Sequence, residues 1–217
     1  MYKKLINLQR IVDRGIIAVI RANSPDQALS MVDAVRKGGI EIIEVTLTVP
    51  GALAVINKLN DTFTKNEILL GAGTVLDSET TRAAILAGAD FIVNPGFNSD
   101  VVRICNRYQI INMAGCVTAT EIITALEAGT DIIKFFPGNA FGPATIKALK
   151  GPLPQAQFIP TGGVDLANIR QWLESGCIAV GIGGELTKGA KNGDFESVTK
   201  AAYSFVQKVK GVEINPH

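Results

Sequence analysis

The chain has 217 residues, with 21 Lys and Arg against 20 Asp and Glu, for a formal net charge of +1. No block of like charge stands out, so a nucleic-acid or membrane-surface partner has no electrostatic basis. Hydrophobic residues make up 47% and charged residues 19%, which allows a sizeable core in one large domain or two small ones.

Residues 3–14 carry Leu5, Ile6, Leu8, Ile11 and Val12 at helical spacing. This opening lacks a long apolar core and a small-residue cleavage site, so no secretory leader is expected. No apolar run in the chain reaches the length of a membrane span. Residues 15–21, GIIAVIR, are β-branched and predict a buried strand. Ser24 followed by Pro25 predicts a helix start, with a serine N-cap and proline at the first helical position. That helix should reach about Lys37 and stop at Gly38-Gly39. Residues 40–47 (IEIIEVTL) predict a second strand, Pro50-Gly51 a helix through about Leu59, and residues 67–74 (EILLGAGT) a third strand. Ser78 is expected to cap the next helix, which ends at Gly88.

The unit then repeats. Strands are predicted at 91–95, 110–116, 131–137, 157–161 and 178–182. Helices are predicted at 99–108, 119–128, 143–150, 165–174 and 195–210. Eight strands, each followed by a helix, point to an α/β protein, a (β/α)8 TIM barrel with an additional N-terminal helix. Most strands are continuous apolar runs, which fits a parallel sheet buried on both faces. A doubly wound open sheet explains the alternation too, but eight units would be long for it. No linker divides the chain, so residues 1–217 form a single domain.

Two absences narrow the chemistry. The only histidine is His217, the last residue, so histidine triads, histidine acid–base catalysis and histidine metal sites are not expected. Cys105, Cys116 and Cys177 make no CxxC pair. That argues against a disulfide framework or cysteine metal site and suits a reducing cytosol.

One residue stands against its surroundings. Lys134 lies in the middle of an apolar strand, and lysine is almost never buried without a reason. Burial favours the neutral amine, which is a nucleophile suited to Schiff-base chemistry. In a barrel the active site lies at the carboxyl ends of the strands, and residues two apart share a face. Strict alternation then groups Ile17, Val19 and Arg21; Ile42, Glu44 and Thr46; Ala72 and Thr74; Ile92 and Asn94; Ile132, Lys134 and Phe136; and Ile159, Thr161 and Gly163. Each such stripe is apolar below and ends in a polar or special residue above. Glu44 would be a structural carboxylate, a proton shuttle beside the amine, or both. Arg21 would balance Glu44 or bind a carboxylate at the mouth. The pairs Gly162-Gly163 and Gly183-Gly184 close neighbouring strands, where barrel enzymes commonly bind phosphate. The run Gly71-Ala72-Gly73-Thr74-Val75-Leu76 lacks the last glycine of a dinucleotide fingerprint.

Together, EVTL at 44–47, GAGTVL at 71–76, NPG at 94–96, KFFP at 134–137, PTGG at 160–163 and IGG at 182–184 resemble the KDPG/KHG aldolases. These act on 2-keto-3-deoxy-6-phosphogluconate (KDPG) and 4-hydroxy-2-oxoglutarate (KHG). The resemblance runs in order from about Gly15 to Leu186. It implies a class I, metal-independent lyase without cofactor, typically a trimer, whose partners are a small keto-acid substrate and pyruvate. It implies Lys134 as the Schiff-base lysine and Glu44 as the proton shuttle. Thr74 with Gly73 would hold the pyruvate carboxylate, and Pro95, Phe136 and Thr161 would line the pocket. Two positions depart from the best-known branch. Thr48 replaces an arginine, and Arg21 would supply that guanidinium, as in the phosphogalactonate aldolases. Glu185 replaces a phosphate-binding serine. Either Glu185 points away or the substrate carries no phosphate. The alternatives are a 2-keto-3-deoxy-6-phosphogalactonate (KDPGal) aldolase, a phosphosugar isomerase or synthase without Schiff-base chemistry, and an idle sugar-acid binder.

Overall fold

The computed structural model describes residues 2–210; His217 lies outside the described residues. Eight parallel strands alternate with helices. The strands are β1 (Ile16–Ile20), β2 (Ile42–Thr46), β3 (Leu69–Gly73), β4 (Phe91–Val93), β5 (Ile111–Cys116), β6 (Ile132–Phe135), β7 (Phe158–Pro160) and β8 (Val180–Ile182). They pair in the order β7-β6-β5-β4-β3-β2-β1-β8. Parallel bridges between Phe158 and Cys177 and between Thr161 and Gly181 bring β7 to β8. The result is the (β/α)8 barrel, and the open-sheet alternative falls away. Every strand residue is buried, as the continuous apolar runs require when helices cover the outside.

The helices are α1 (Lys3–Arg14), α2 (Pro25–Lys37), α3 (Ala52–Thr62), α4 (Ser78–Leu86), α5 (Ser99–Tyr108), α6 (Ala119–Glu127), α7 (Pro143–Lys150), α8 (Ile169–Glu174), α9 (Gly184–Thr187) and α10 (Phe195–Val209). Short 3-10 turns cover Gly138–Ala140 and Lys188–Asn192. Ser24 caps α2 as expected, its hydroxyl accepting from the Gln27 N–H. Other starts differ. Asp77, not Ser78, caps α4, its carboxylate accepting from the Thr80 N–H at 2.6 Å. Both residue types are good caps, so a run containing both leaves the choice to the chain's path. Helix α8 begins only at Ile169, because Asp165 Oδ1 takes the Ala167 and Asn168 N–H groups into a turn first.

Two strands alternate in the opposite phase to the one expected. Leu69 on β3, and Phe91 and Val93 on β4, pack inside the barrel with Ile17, Ile42, Ile132 and Ile159. Ala72 and Ile92 instead join the outer layer between sheet and helices. The inward positions of β3 are therefore Leu69, Gly71 and Gly73, so the expected inward pairs Ala72 with Thr74 and Ile92 with Asn94 are corrected.

Helix α1 closes the barrel floor. Ile11 is fully buried against the interior, with Leu8 and Val12 beside it, while Leu5 and Ile6 face outward. Ion pairs seat the helix. Arg10 and Arg14 meet Glu41 at 2.6 and 2.8 Å, Lys3 meets Asp90 at 2.8 Å, and Lys4 meets Asp131 at 2.9 Å. These acids immediately precede β2, β4 and β6. Burial alone would push the Glu41 carboxyl up. The hydrogen bonds and charges of Arg14 and Arg10 outweigh that and hold it below the ordinary glutamate range.

A depressed carboxylate stabilises the fold above its unfolded pKa of about 4.3 and loses that contribution as pH falls through its folded value. Glu41→Gln is expected to cost about 1–2 kcal/mol near pH 7, and much less once pH has dropped below the depressed folded value of Glu41. Urea unfolding at the two pH values measures this. An equal deficit at both would show that the contact is not ionic.

Candidate active site

The site is built from the residues where the strands end. Lys134 extends from β6 and Glu44 from β2. These strands stand on opposite sides of the barrel, separated by β3, β4 and β5 one way and by β1, β8 and β7 the other. Both side chains cross the interior, and Lys134 Nζ lies 3.9 Å from Glu44 Oε1, each side chain 3% exposed. That exceeds a hydrogen bond, and Oε1 has no hydrogen-bond partner. The Phe136 ring lies 5.1 Å from Nζ, in cation–π range. The expectation that Lys134 is buried and faces Glu44 is met.

Glycines on the neighbouring strands make close approaches possible around this pair, and Gly73 leaves room for Glu44 itself. A Cβ at Gly73 would sit 1.8 Å from Glu44 Oε1, and one at Gly71 would sit 2.2 Å from the Phe91 ring. At Gly115, paired in register with Lys134, a Cβ would sit 2.1 Å from the Pro95 carbonyl oxygen. The sequence reading missed Gly71 and Gly115 as spacers. Their signal was glycine inside an apolar strand, which marks a close approach.

Above this pair lies a cleft of about 230 Å³ lined by Val19, Arg21, Phe136, Thr161, Gly162, Gly163, Val164, Gly181, Gly183, Gly184 and Glu185. It gathers seven of the expected binding residues, and Phe136 joins it to the lysine. Gly162 and Gly163 have φ of 89° and 76°, a conformation side chains rarely adopt. Thr161 is 8% exposed, and its hydroxyl occupies the space a side chain at Gly181 would need. Pro95 is half-buried, and its carbonyl overhangs Gly115.

Thr74 is set apart from that group. It is half-buried beside Gly73 with φ 58°, costly for a β-branched residue. The turn is held by the Val75 N–H on the Val93 carbonyl at 3.2 Å and by Asn94 Nδ2 on the Val75 carbonyl at 2.8 Å. Asn94 Oδ1 accepts in turn from Asn112 Nδ2 at 2.9 Å, and Asn112 Oδ1 from the Thr130 hydroxyl. This buried polar relay had no sequence signal beyond its residue types.

The two departures resolve locally. The Thr48 hydroxyl bonds Thr46 Oγ1 at 2.8 Å, and Thr46 Oγ1 donates to the Ile20 carbonyl at 3.0 Å. Arg21 is exposed and has no ion pair or hydrogen bond among the described residues. Glu185 turns to Lys188, with Nζ at 2.6 Å from Oε2.

A family model described as KDPG and KHG aldolase matches residues 8–201. The 2-dehydro-3-deoxy-6-phosphogalactonate aldolase of Escherichia coli (strain K12) is 38% identical over 193 residues, 88% of this chain and 93% of that one. The 2-dehydro-3-deoxy-phosphogluconate aldolase of Haemophilus influenzae is 36% identical over 167 residues, 76% and 78% of the two chains. A solved KDPG aldolase from Legionella pneumophila, with pyruvate captured as a covalent carbinolamine, has a TM-score of 0.83 at 30% identity, covering 89% of this chain and 95% of its own. A 3-hexulose-6-phosphate synthase, at 17% identity and TM-score 0.70 over 89% and 99% of the two chains, shares the fold alone.

The glycine spacing predicts a graded response. Gly115→Ala, which drives a methyl into a backbone carbonyl, should cost about 1–3 kcal/mol. Gly96→Ala, with nothing within 4 Å, should stay within about 0.5 kcal/mol. Equal denaturation midpoints for the two variants would show that the overhang is not tight.

Proposed function

The chain belongs to the KDPG and KHG aldolase family, and from that premise we propose how its own residues perform a class I aldol cleavage and on which substrate. The enzyme is a metal-independent carbon–carbon lyase. Its substrate is a 2-keto-3-deoxy-6-phospho sugar acid or 4-hydroxy-2-oxoglutarate, cleaved to pyruvate and an aldehyde, glyceraldehyde 3-phosphate or glyoxylate. The observation that carries this reading is the buried lysine facing an unpartnered carboxylate oxygen across the barrel mouth.

The neutral Lys134 amine attacks the C2 ketone and forms a carbinolamine. Glu44 protonates the departing hydroxyl, water leaves, and a protonated imine remains. Glu44, now a carboxylate, takes the proton from the C4 hydroxyl through a water. The C3–C4 bond breaks, its electrons pass into the iminium to give an enamine, and the aldehyde leaves. Glu44 passes the proton it took to C3, and water then attacks the protonated imine, returning a proton to Glu44 as pyruvate and free Lys134 are released. Gly73 and Thr74 hold the pyruvate carboxylate, Pro95, Phe136 and Thr161 wall the pocket, and Gly162, Gly163, Gly183 and Gly184 offer N–H groups to the distal end. Arg21 brings to an anionic group of the substrate the guanidinium that Thr48 cannot.

A galactonate-derived substrate, KDPGal, is the second reading. The unpaired Arg21 beside a hydrogen-bonded Thr48 favours it, as does the E. coli phosphogalactonate aldolase relative. We also propose a homotrimer in the cytoplasm. Support comes from the family resemblance, from a related chain in a cage designed by fusing symmetric oligomeric domains, and from three unpaired buried cysteines. Among the described residues no helix is long and apolar enough to cross a membrane.

Borohydride reduction with pyruvate should add one pyruvyl group to Lys134, read by peptide mass. Lys134→Met should take up none. Label on that variant, or none on the natural chain, would sink the mechanism. Glu44→Gln should lower kcat about 10²–10⁴-fold. A pyruvate-release assay across gluconate- and galactonate-derived keto acids, with and without phosphate, identifies the substrate. Equal efficiency with and without phosphate would exclude the glycine cleft as a phosphate site.

A further inference from the structure

A second cleft adjoins the active-site mouth, sharing Arg21 as its wall. It has a volume of about 320 Å³ and is lined by Arg21, Ala22, Asn23, Gln27, Met31, Thr48, Thr187, Ala190 and Lys191. Two of these are cations and none is a carboxylate. Neither Arg21 nor Lys191 has an ion-pair or hydrogen-bond partner among the described residues. The nearby ammonium of Lys188 differs, being engaged by Glu185 at 2.6 Å.

The two cations are carried on walls that one side chain ties together. Gln27 Oε1 accepts from the Asn23 N–H at 2.8 Å, and Gln27 Nε2 donates to the Ala190 carbonyl at 2.9 Å. Asn23 follows Arg21 by two residues, and Ala190 immediately precedes Lys191. Gln27 therefore fixes the segment bearing the guanidinium against the segment bearing the ammonium. Thr48 and Thr187 line the same cleft, with their hydroxyl protons directed to Thr46 Oγ1 and the Gly183 carbonyl. Two unpaired cations and no acid suit a dianionic phosphate monoester.

We infer that Lys191, together with Arg21, is a specificity-determining clamp for the terminal phosphoryl group of the sugar-acid substrate. This rests on the aldolase reading above and deepens it. Glu185 removes a hydroxyl donor from the glycine cleft, and the cations that compensate stand across Arg21 in the adjoining one. Lys191 contributes charge, and Arg21 contributes charge and a planar fork at the border of the two clefts.

The test compares kcat/KM for phosphorylated and unphosphorylated 2-keto-3-deoxy sugar acids. In Lys191→Ala and in Arg21→Ala the ratio should fall about tenfold, mainly through KM, and Lys191→Glu should lower it further. Lys191→Arg should keep it within about threefold. Lys200→Ala, whose ammonium pairs with Glu196 on α10, is the surface control. Inorganic phosphate should inhibit the natural enzyme competitively and the Lys191→Ala enzyme more weakly. An unchanged ratio overturns the inference, and so does weaker phosphate inhibition without a change in ratio, which would mean a free-anion site only. An equal loss on both substrates in Arg21→Ala also overturns it, by assigning that guanidinium to the carboxylate. Borohydride trapping of pyruvate on the same preparations separates the failures. Trapping with an unchanged ratio rejects the clamp alone, whereas no trapping in the natural chain rejects the aldolase reading itself.

Discussion

A lysine and a glutamate held inside the barrel, out of water and out of hydrogen-bond contact with each other, set the terms for the rest of this structure. Removing a charged side chain from water costs several kcal/mol, which a partner only partly offsets. Lys134 and Glu44 are each 2% exposed and 3.9 Å apart. A closer, hydrogen-bonded pair would be more stable and less useful, because the amine would be tied to the carboxylate. The separation leaves Glu44 Oε1 without a hydrogen-bond partner, as the proposed proton-shuttle role requires. The fold supports this costly arrangement through everything else it buries. The inner layer of Ile17, Ile42, Ile132 and Ile159 lies beneath, and helix α1 closes the floor with Ile11.

The geometry follows from placing the two residues on opposite strands. Gly73, on the intervening β3, leaves the room that the Glu44 carboxylate takes, while Gly71 and Gly115 make room for the Phe91 ring and the Pro95 carbonyl. The same choice removes the side chains that would otherwise show which way β3 faces. Alternation could be read on β1, β2, β6 and β7, where Val19, Glu44, Lys134 and Thr161 mark the inner face. On β3 the inner residues above Leu69 are glycines, and the apparent pattern came from Ala72 and Thr74, which belong elsewhere. Thr74 then turns into a left-handed conformation, where strand alternation no longer applies.

The eight β/α units, the N-terminal helix and the two central residues were legible because they rest on local patterns: apolar runs, glycine stops and a lysine out of place. What was not legible depends on contacts between distant parts of the chain. The floor pairs join α1 to Glu41, Asp90 and Asp131, and nothing in a stretch of charged residues says which acid each base will meet. The Asn94–Asn112–Thr130 relay is equally silent, since isolated polar residues in apolar strands are as consistent with an inner face as with an outer one. The cap at Asp77 rather than Ser78 is a smaller instance, decided by the path of the chain into α4.

The barrel divides its labour by strand. In the proposed mechanism the covalent chemistry sits on β2 and β6, where the side chains are deep and paired. The proposed recognition of the rest of the substrate falls to the ends of β7, β8 and β1, where glycine turns and exposed cations stand apart from the buried pair. Glu185 and Thr48 both lie in this outer region, and each is accommodated by a neighbour, Lys188 in one case and Thr46 in the other. Neither adjustment reaches the Lys134–Glu44 separation. Under the proposed mechanism the departures from the best-known branch therefore bear on which anionic group is held and how, while the carbon–carbon cleavage is assigned to residues that have not departed.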